Sequence, residues 1–110
     1  MLSERSRILI ETITRLLHRG AIDRLKKVIG KAHEADLIPV FRSLSLSNQC
    51  KLFNLIDDPE IKGYVISELD EDIIHAIIED LPIEELVHIM DQMPDDDRTA
   101  LIKMLPEDKA

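Results

Sequence analysis

The chain has 110 residues, 45% of them hydrophobic but only 3% aromatic, and a formal net charge of −8 at pH 7. This length allows a hydrophobic core without covalent cross-links, and no apolar run approaches the roughly 18 residues of a membrane-spanning helix. With only three glycines, the composition favours an all-α domain. The single cysteine, Cys50, has no partner in the chain for a disulfide, which fits a reducing cytoplasm.

Charge is distributed unevenly along the chain. Residues 1–56 contain ten Arg or Lys and five Asp or Glu, a net charge of +5. Residues 57–97 contain 15 acidic residues and one base, Lys62, a net charge of −14. An acidic region of this kind favours basic partners or cations and repels nucleic acid.

Two helices are predicted before residue 31. The first runs from about Ser3 to His18, and Gly20 is a suitable C-cap for it. The second runs from about Ala21 to Ile29, with Ile22 facing the core and Gly30 at its end. The first helix carries several arginines and could lie on an anionic membrane surface, but we favour packing of its apolar stripe on the following helices.

A 12-residue repeat fills most of the remaining sequence, in the six segments 33–44, 45–56, 58–69, 70–81, 82–93 and 94–105. The eighth, ninth and twelfth positions of every repeat are apolar, a spacing that puts them on one face of a helix. Each repeat therefore predicts a helix of about nine or ten residues, too short to be stable alone. We expect a single domain over residues 1–110, a right-handed superhelix of about eight short antiparallel helices.

Prolines support this assignment, because proline is tolerated in the first turn of a helix, where its missing N–H has no intrahelical partner. Three prolines fall at predicted helix starts: Pro59, Pro82 and Pro94. Pro39 lies too deep in its repeat for this position. We expect that helix to start near Asp36 or to bend at the proline.

Most acidic residues of the repeats fall in predicted first turns, where exposed N–H groups stabilise negative charge by about 0.3–1 kcal/mol each. Glu85 and residues 95–97 belong to this group. Four others fall in last turns, where the helix dipole disfavours them: Glu68, Glu79, Asp80 and Asp91. Their neighbours in the sequence are mostly acidic as well. These four form either a solvated acidic rim or a site for a divalent cation or a basic surface.

No motif for catalysis or for tight metal binding is present in the sequence. It lacks a Gly-rich phosphate loop, a nucleophile elbow and an EF-hand loop, and one cysteine cannot build a zinc site. We therefore predict that the protein is not an enzyme. Any Mg²⁺ bound by the surplus carboxylates would be weakly held, partly hydrated and shared with another surface.

The segments "HEADLIPVFRSL", "ISELDEDIIHAIIEDLPIEELVHIMDQMPDDD" and "ALIKMLPED" resemble the intracellular N-domain of MgtE-type magnesium transporters. The resemblance runs from about Leu16 to Asp108. It implies a cytoplasmic regulatory domain at the inner face of the membrane, docking on CBS-type domains in a Mg²⁺-dependent way to gate a transmembrane pathway. It also implies a possible homodimer through the full-length protein, of which this chain is an excised domain unless it is a stand-alone relative.

Candidate metal ligands, shared with another domain, follow from two arguments. The family pattern matches at Asp91, Asp95 and Asp96, whereas Glu79 and Asp80 are added from their position at a helix end. Thr99 stands where the family tends to have a further acid.

A second class of function remains open. The middle region of the flagellar motor protein FliG is similar at a greater distance. The alternative is a structural protein–protein interaction module of the flagellar-motor or scaffold kind, without a metal role.

Overall fold

The computed structural model describes residues 3–105, which form eight α-helices and no strand. The helices are α1 (Glu4–Arg19), α2 (Ile22–Lys31), α3 (Glu34–Ser43), α4 (Leu46–Leu55), α5 (Pro59–Glu68), α6 (Glu71–Glu79), α7 (Ile83–Asp91) and α8 (Asp95–Met104). The predicted all-α class and helix number are confirmed. The six helices from α3 to α8 each occupy one 12-residue repeat.

Local capping explains several helix boundaries. The Ser3 side chain caps α1 by accepting a hydrogen bond from the Ser6 N–H, and Gly20 ends the helix with φ of 69°, a conformation that favours glycine. The Asp58 carboxylate accepts from the Glu60 N–H at 2.9 Å, and Pro59 is the first residue of α5. Pro82 and Pro94 occupy the N-cap positions of α7 and α8, one residue before the predicted first turn.

Of the two alternatives for Pro39, a helix start near Asp36 was wrong, and a bend at the proline stays a prediction. α3 begins at Glu34, with His33 as N-cap, and continues through Pro39. Proline inside a helix costs about 3 kcal/mol, partly through the lost bond to the carbonyl four residues earlier. The same helix buries four apolar side chains, each worth about 1.5–3 kcal/mol. These are Leu37, Ile38, Val40 and Phe41. Burial therefore outweighs the local penalty.

The second predicted helix was also wrong in two details. Gly30 does not end α2, which continues to Lys31 with Ala32 as its C-cap. Ile22 is 46% exposed rather than buried. It is the first residue of the helix, so the chain can present it to solvent while Leu25 and Ile29 fill the core.

The apolar repeat positions form most of the core. Of the 18 side chains at the eighth, ninth and twelfth positions, 14 are buried and only Ile102 is exposed, so the periodicity identified the buried face. The chain divides into two compact units, unit 1 (Met1–Asp57) and unit 2 (Asp58–Ala110). The single domain over residues 1–110 stays a prediction.

Each unit has its own helix contacts. In unit 1, α1 packs on α2 and α3, and α2 packs on α4. The buried Gln49 ties α4 to the end of α3, because its Nε2 donates to the Phe41 carbonyl at 2.7 Å. In unit 2, α5 packs on α7, and a Cβ added at Gly63 of α5 would meet atoms of Ile89 and Met93.

Candidate functional site

The four acidic residues assigned to last turns lie at helix ends in unit 2. Glu68 ends α5, Glu79 ends α6 with Asp80 as its C-cap, and Asp91 ends α7. All four side chains are exposed. Carbonyl groups at a helix C-terminus carry partial negative charge, so these carboxylates lie where the local backbone field is unfavourable.

Asp95 and Asp96 lie in a different local environment. They are the first two residues of α8, whose N-cap Pro94 provides no side-chain hydrogen bond. Exposed N–H groups of the first turn attract carboxylates there. Helix formation alone therefore accounts for these two acids, as the sequence suggested for residues 95–97.

Arg98 was missed as a partner for the end of α7. Its Nε donates to the Met90 carbonyl at 3.0 Å, and its second terminal nitrogen donates to the Met93 carbonyl at 3.1 Å. Its other terminal nitrogen lies 3.5 Å from a carboxylate oxygen of Asp95. A guanidinium group thus offsets the partial negative charge at the α7 C-terminus.

Asp96 lies in a cleft between α6 and α8. The cleft has a volume of about 580 Å³ and is lined by Glu71 and His75 from α6 and by Thr99 and Lys103 from α8, besides Asp96. The Lys103 ammonium brings a positive charge to this cleft. A divalent cation near Asp96 would therefore meet one lysine as well as two carboxylates.

The five candidate ligands are Glu79, Asp80, Asp91, Asp95 and Asp96. Among residues 3–105, no three His, Cys, Asp or Glu side chains come together in a way that could hold a metal ion. The donor chemistry itself fits Mg²⁺, which prefers carboxylate oxygens and keeps several of its waters. Metal binding by these residues stays a prediction, in the form of a site shared with another surface.

Lys62 and Glu85 form an interaction that sequence reasoning also missed. The Lys62 ammonium, on a side chain only 8% exposed, lies 2.5 Å from Glu85 Oε1. The sequence explained Glu85 by its position in the first turn of α7, but its carboxylate also joins α7 to α5. The sequence contained a signal for an ion pair of Lys62, because this residue is the one base among the acids of residues 57–97.

These features define a small all-α domain of short helical repeats with an acidic second unit. No helix within the span 3–105 has the length and hydropathy needed to cross a membrane. The MgtE intracellular N domain family matches residues 32–110, most of the chain, and the chain belongs to this family. The family is a transporter-associated domain and not an enzyme family. No curated protein matches the chain.

The family match confirms the resemblance seen in the sequence. It begins at residue 32, whereas the resemblance was placed from about Leu16. Helices α1 and α2 therefore lie outside the matched segment, although they pack on α3 and α4 within unit 1.

Proposed function

We propose that this chain is a non-enzymatic cytoplasmic regulatory domain of a magnesium transporter. It docks on neighbouring CBS-type domains in a Mg²⁺-dependent way and thereby gates transport. The observation that carries the proposal is the family match over residues 32–110. The domain lies at the inner face of the membrane, and its partners are the CBS-type and transmembrane domains of the same or a partner chain. The full-length protein forms a homodimer.

The positions of the acidic side chains support a role in docking. Glu79, Asp80 and Asp91 are exposed at helix C-termini, where the partial negative charge of the backbone carbonyls disfavours a further negative charge. A second negative surface would be repelled by these carboxylates. With hydrated Mg²⁺ bound between the two surfaces, the repulsion is offset and the docked arrangement is favoured.

The test separates specific cation binding from ordinary screening. Amide shifts of the isotopically labelled chain are followed during titration with millimolar Mg²⁺ and, separately, with Na⁺ at matched ionic strength. We expect larger shifts with Mg²⁺ around residues 91–97. The triple variant D91N/D95N/D96N should lose the difference, and Asp23→Asn in α2 serves as the matched control. Equal responses to the two salts would contradict a metal role for these residues.

Docking itself requires a second measurement. Calorimetric titration of the chain with a purified CBS-type domain pair of a transporter from this family should give tighter binding in Mg²⁺ than in EDTA. If the triple variant loses that difference and Asp23→Asn keeps it, then Asp91, Asp95 and Asp96 take part in docking. Binding that is equally strong in EDTA would contradict the proposed regulation.

Arg98 supports a second candidate function, a structural interaction module without a metal role. Its guanidinium already lies beside the α7 C-terminus and contacts Asp95. A scaffold of this kind would bind its partner regardless of Mg²⁺. The comparison of Mg²⁺ with EDTA therefore discriminates between the two functions.

A further inference from the structure

An apolar groove with two basic residues and Asp36 on its lining lies on unit 1, mostly outside the segment matched by the family. It has a volume of about 350 Å³ and is formed by α1, α2 and the region around the start of α3. Its apolar lining includes Ile8, Leu9 and Val28, and Ile8 is 57% exposed. Arg5 and Lys31, both exposed, bring positive charge to the lining, and Arg5 also pairs with Asp36 at 3.7 Å. An apolar floor with cationic edges suits an apolar side chain flanked by carboxylates.

Helix α7 on unit 2 carries a surface of this complementary kind. Ile83 and Val87, four residues apart and therefore on one helix face, are 49% and 51% exposed. Glu84 and Asp91, both exposed, lie beside this pair on the same helix. We call the Ile83–Val87 pair with these two acids the α7 stripe. Large aliphatic side chains that remain half-exposed next to acids are candidates for burial in a partner.

The charges of the two units are opposite. Unit 1 contains ten basic and six acidic residues, a net charge of +4, and unit 2 contains four basic and 16 acidic residues, a net charge of −12. Two copies of the chain are therefore attracted when unit 1 of one faces unit 2 of the other, and repelled when two acidic units meet. This complementarity favours a second copy of the chain as the partner for the groove.

We propose that the α7 stripe of one molecule binds in the α1–α2 groove of a second molecule. The contact is heterologous, because it joins two different surfaces. A dimer therefore still has one unoccupied α7 stripe and one unoccupied groove, to which further molecules can bind. Apolar insertion of Ile83 and Val87 supplies affinity, and the acids beside them pair with the basic groove edges. The contact goes beyond the proposed function and needs no metal ion.

Analytical ultracentrifugation of the purified chain in EDTA at low salt tests the proposal. The mass-average molecular weight should rise between micromolar and millimolar concentration and continue beyond that of a dimer, because a heterologous contact does not close on itself. Added NaCl should weaken the association, since exposed charges more than a Debye length apart are screened.

Two variants separate the surfaces. Ile8→Asp places a carboxylate in the groove and Val87→Asp places one in the α7 stripe, and each should weaken self-association on the order of tenfold or more. Both positions are more than half exposed, so folding should be retained and is checked by circular dichroism. Ile102→Asp on α8, at a side chain 44% exposed outside both surfaces, is the matched control and should associate like the unmodified chain.

Mixing provides the decisive result. Ile8→Asp retains an intact stripe and Val87→Asp retains an intact groove, so an equimolar mixture should form dimers and nothing larger. A chain that stays monomeric up to millimolar concentration would overturn the proposal and leave the groove to a foreign acidic helix or an anionic lipid surface. Association insensitive to both variants, or variants that do not complement each other on mixing, would overturn it as well.

Discussion

Lys62 of α5 and Glu85 of α7 are joined by an ion pair in which the lysine side chain is 8% exposed and the glutamate side chain 39% exposed. The pair is therefore asymmetric. Glu85 can be hydrated if its partner is removed, whereas the Lys62 ammonium is held away from bulk water. Removing one member of a buried pair is most harmful when the remaining charge stays desolvated.

This asymmetry predicts different effects for two substitutions. Glu85→Ala should lower the free energy of unfolding by about 1–3 kcal/mol, because the ammonium loses this carboxylate. Lys62→Met keeps the aliphatic volume and should cost less than about 1 kcal/mol. Urea unfolding followed by circular dichroism measures both, since the chain has no tryptophan. Glu84→Ala, at the exposed neighbouring position, is the control. The reverse order of the two effects would contradict this account.

Gly63 permits the close approach of α5 and α7. A Cβ at this position would lie 2.8 Å from Met93 Cγ and 3.5 Å from the Ile89 carbonyl oxygen. Gly63→Ala should gain about 1 kcal/mol in helix propensity but lose about 1–3 kcal/mol through overpacking, a net loss of about 1 kcal/mol. Thermal unfolding measures the change.

Gly30→Ala is the matched control for this prediction. Gly30 also lies in a helix, but a Cβ there would meet no atom within 4 Å. The substitution should stabilise the protein by about 0.5 kcal/mol through propensity alone. The double variant G63A/M93A should be less destabilised than the sum of its single variants, because Met93 is the obstacle. Strict additivity would mean that the overlap is relieved elsewhere.

Arg98 should stabilise unit 2 through the carbonyls of Met90 and Met93 rather than through Asp95. Arg98→Ala should cost about 1 kcal/mol, because two hydrogen bonds and a favourable charge at the α7 C-terminus are lost. Asp95→Asn should change stability by less than about 0.5 kcal/mol, since the Asp95 side chain is 93% exposed and its ion pair is screened by water. Equal losses in the free energy of unfolding of the two variants would instead indicate that the Arg98–Asp95 ion pair is the stabilising contact.

The same arginine provides a prediction about cation binding. If Asp95 is a ligand as proposed, the Arg98 guanidinium competes with Mg²⁺ for its carboxylate. Arg98→Gln should then enlarge the Mg²⁺-specific amide shifts at the start of α8. Lys103→Gln, in the cleft with Asp96, should act in the same direction. Unchanged shifts in both variants would indicate that Asp95 and Asp96 do not bind the ion.

The sequence could predict what depends on local chemistry. Apolar periodicity identified the helices and most of the core, and the preference of glycine for a C-cap identified the end of α1 at Gly20. Placement of Glu79 and Asp91 at helix C-termini followed from the same pattern. These features need only the 12-residue repeat and the preferences of single residues.

Contacts between distant residues could not be predicted in this way. Lys62 and Glu85 are 23 positions apart, and their pairing depends on how α5 packs on α7. Arg98 reaches back to α7 through the geometry of a turn. Proline disfavours the interior of a helix, but α3 continues through Pro39. The free energy gained by burying four side chains of α3 exceeds the penalty for one proline. In each case the packing of the helices decides the structure, and the periodicity of the sequence does not specify that packing.

The tight fit of Met93 against Gly63 also determines how this protein should respond to oxidants. Met93 is 4% exposed, so its thioether is shielded from dissolved peroxide while unit 2 stays folded. Conversion to the sulfoxide would make the side chain larger and polar and would disfavour its packing against Gly63. Peroxide should therefore modify the more accessible Met90 first, and sulfoxide at Met93 would record the transient opening of unit 2.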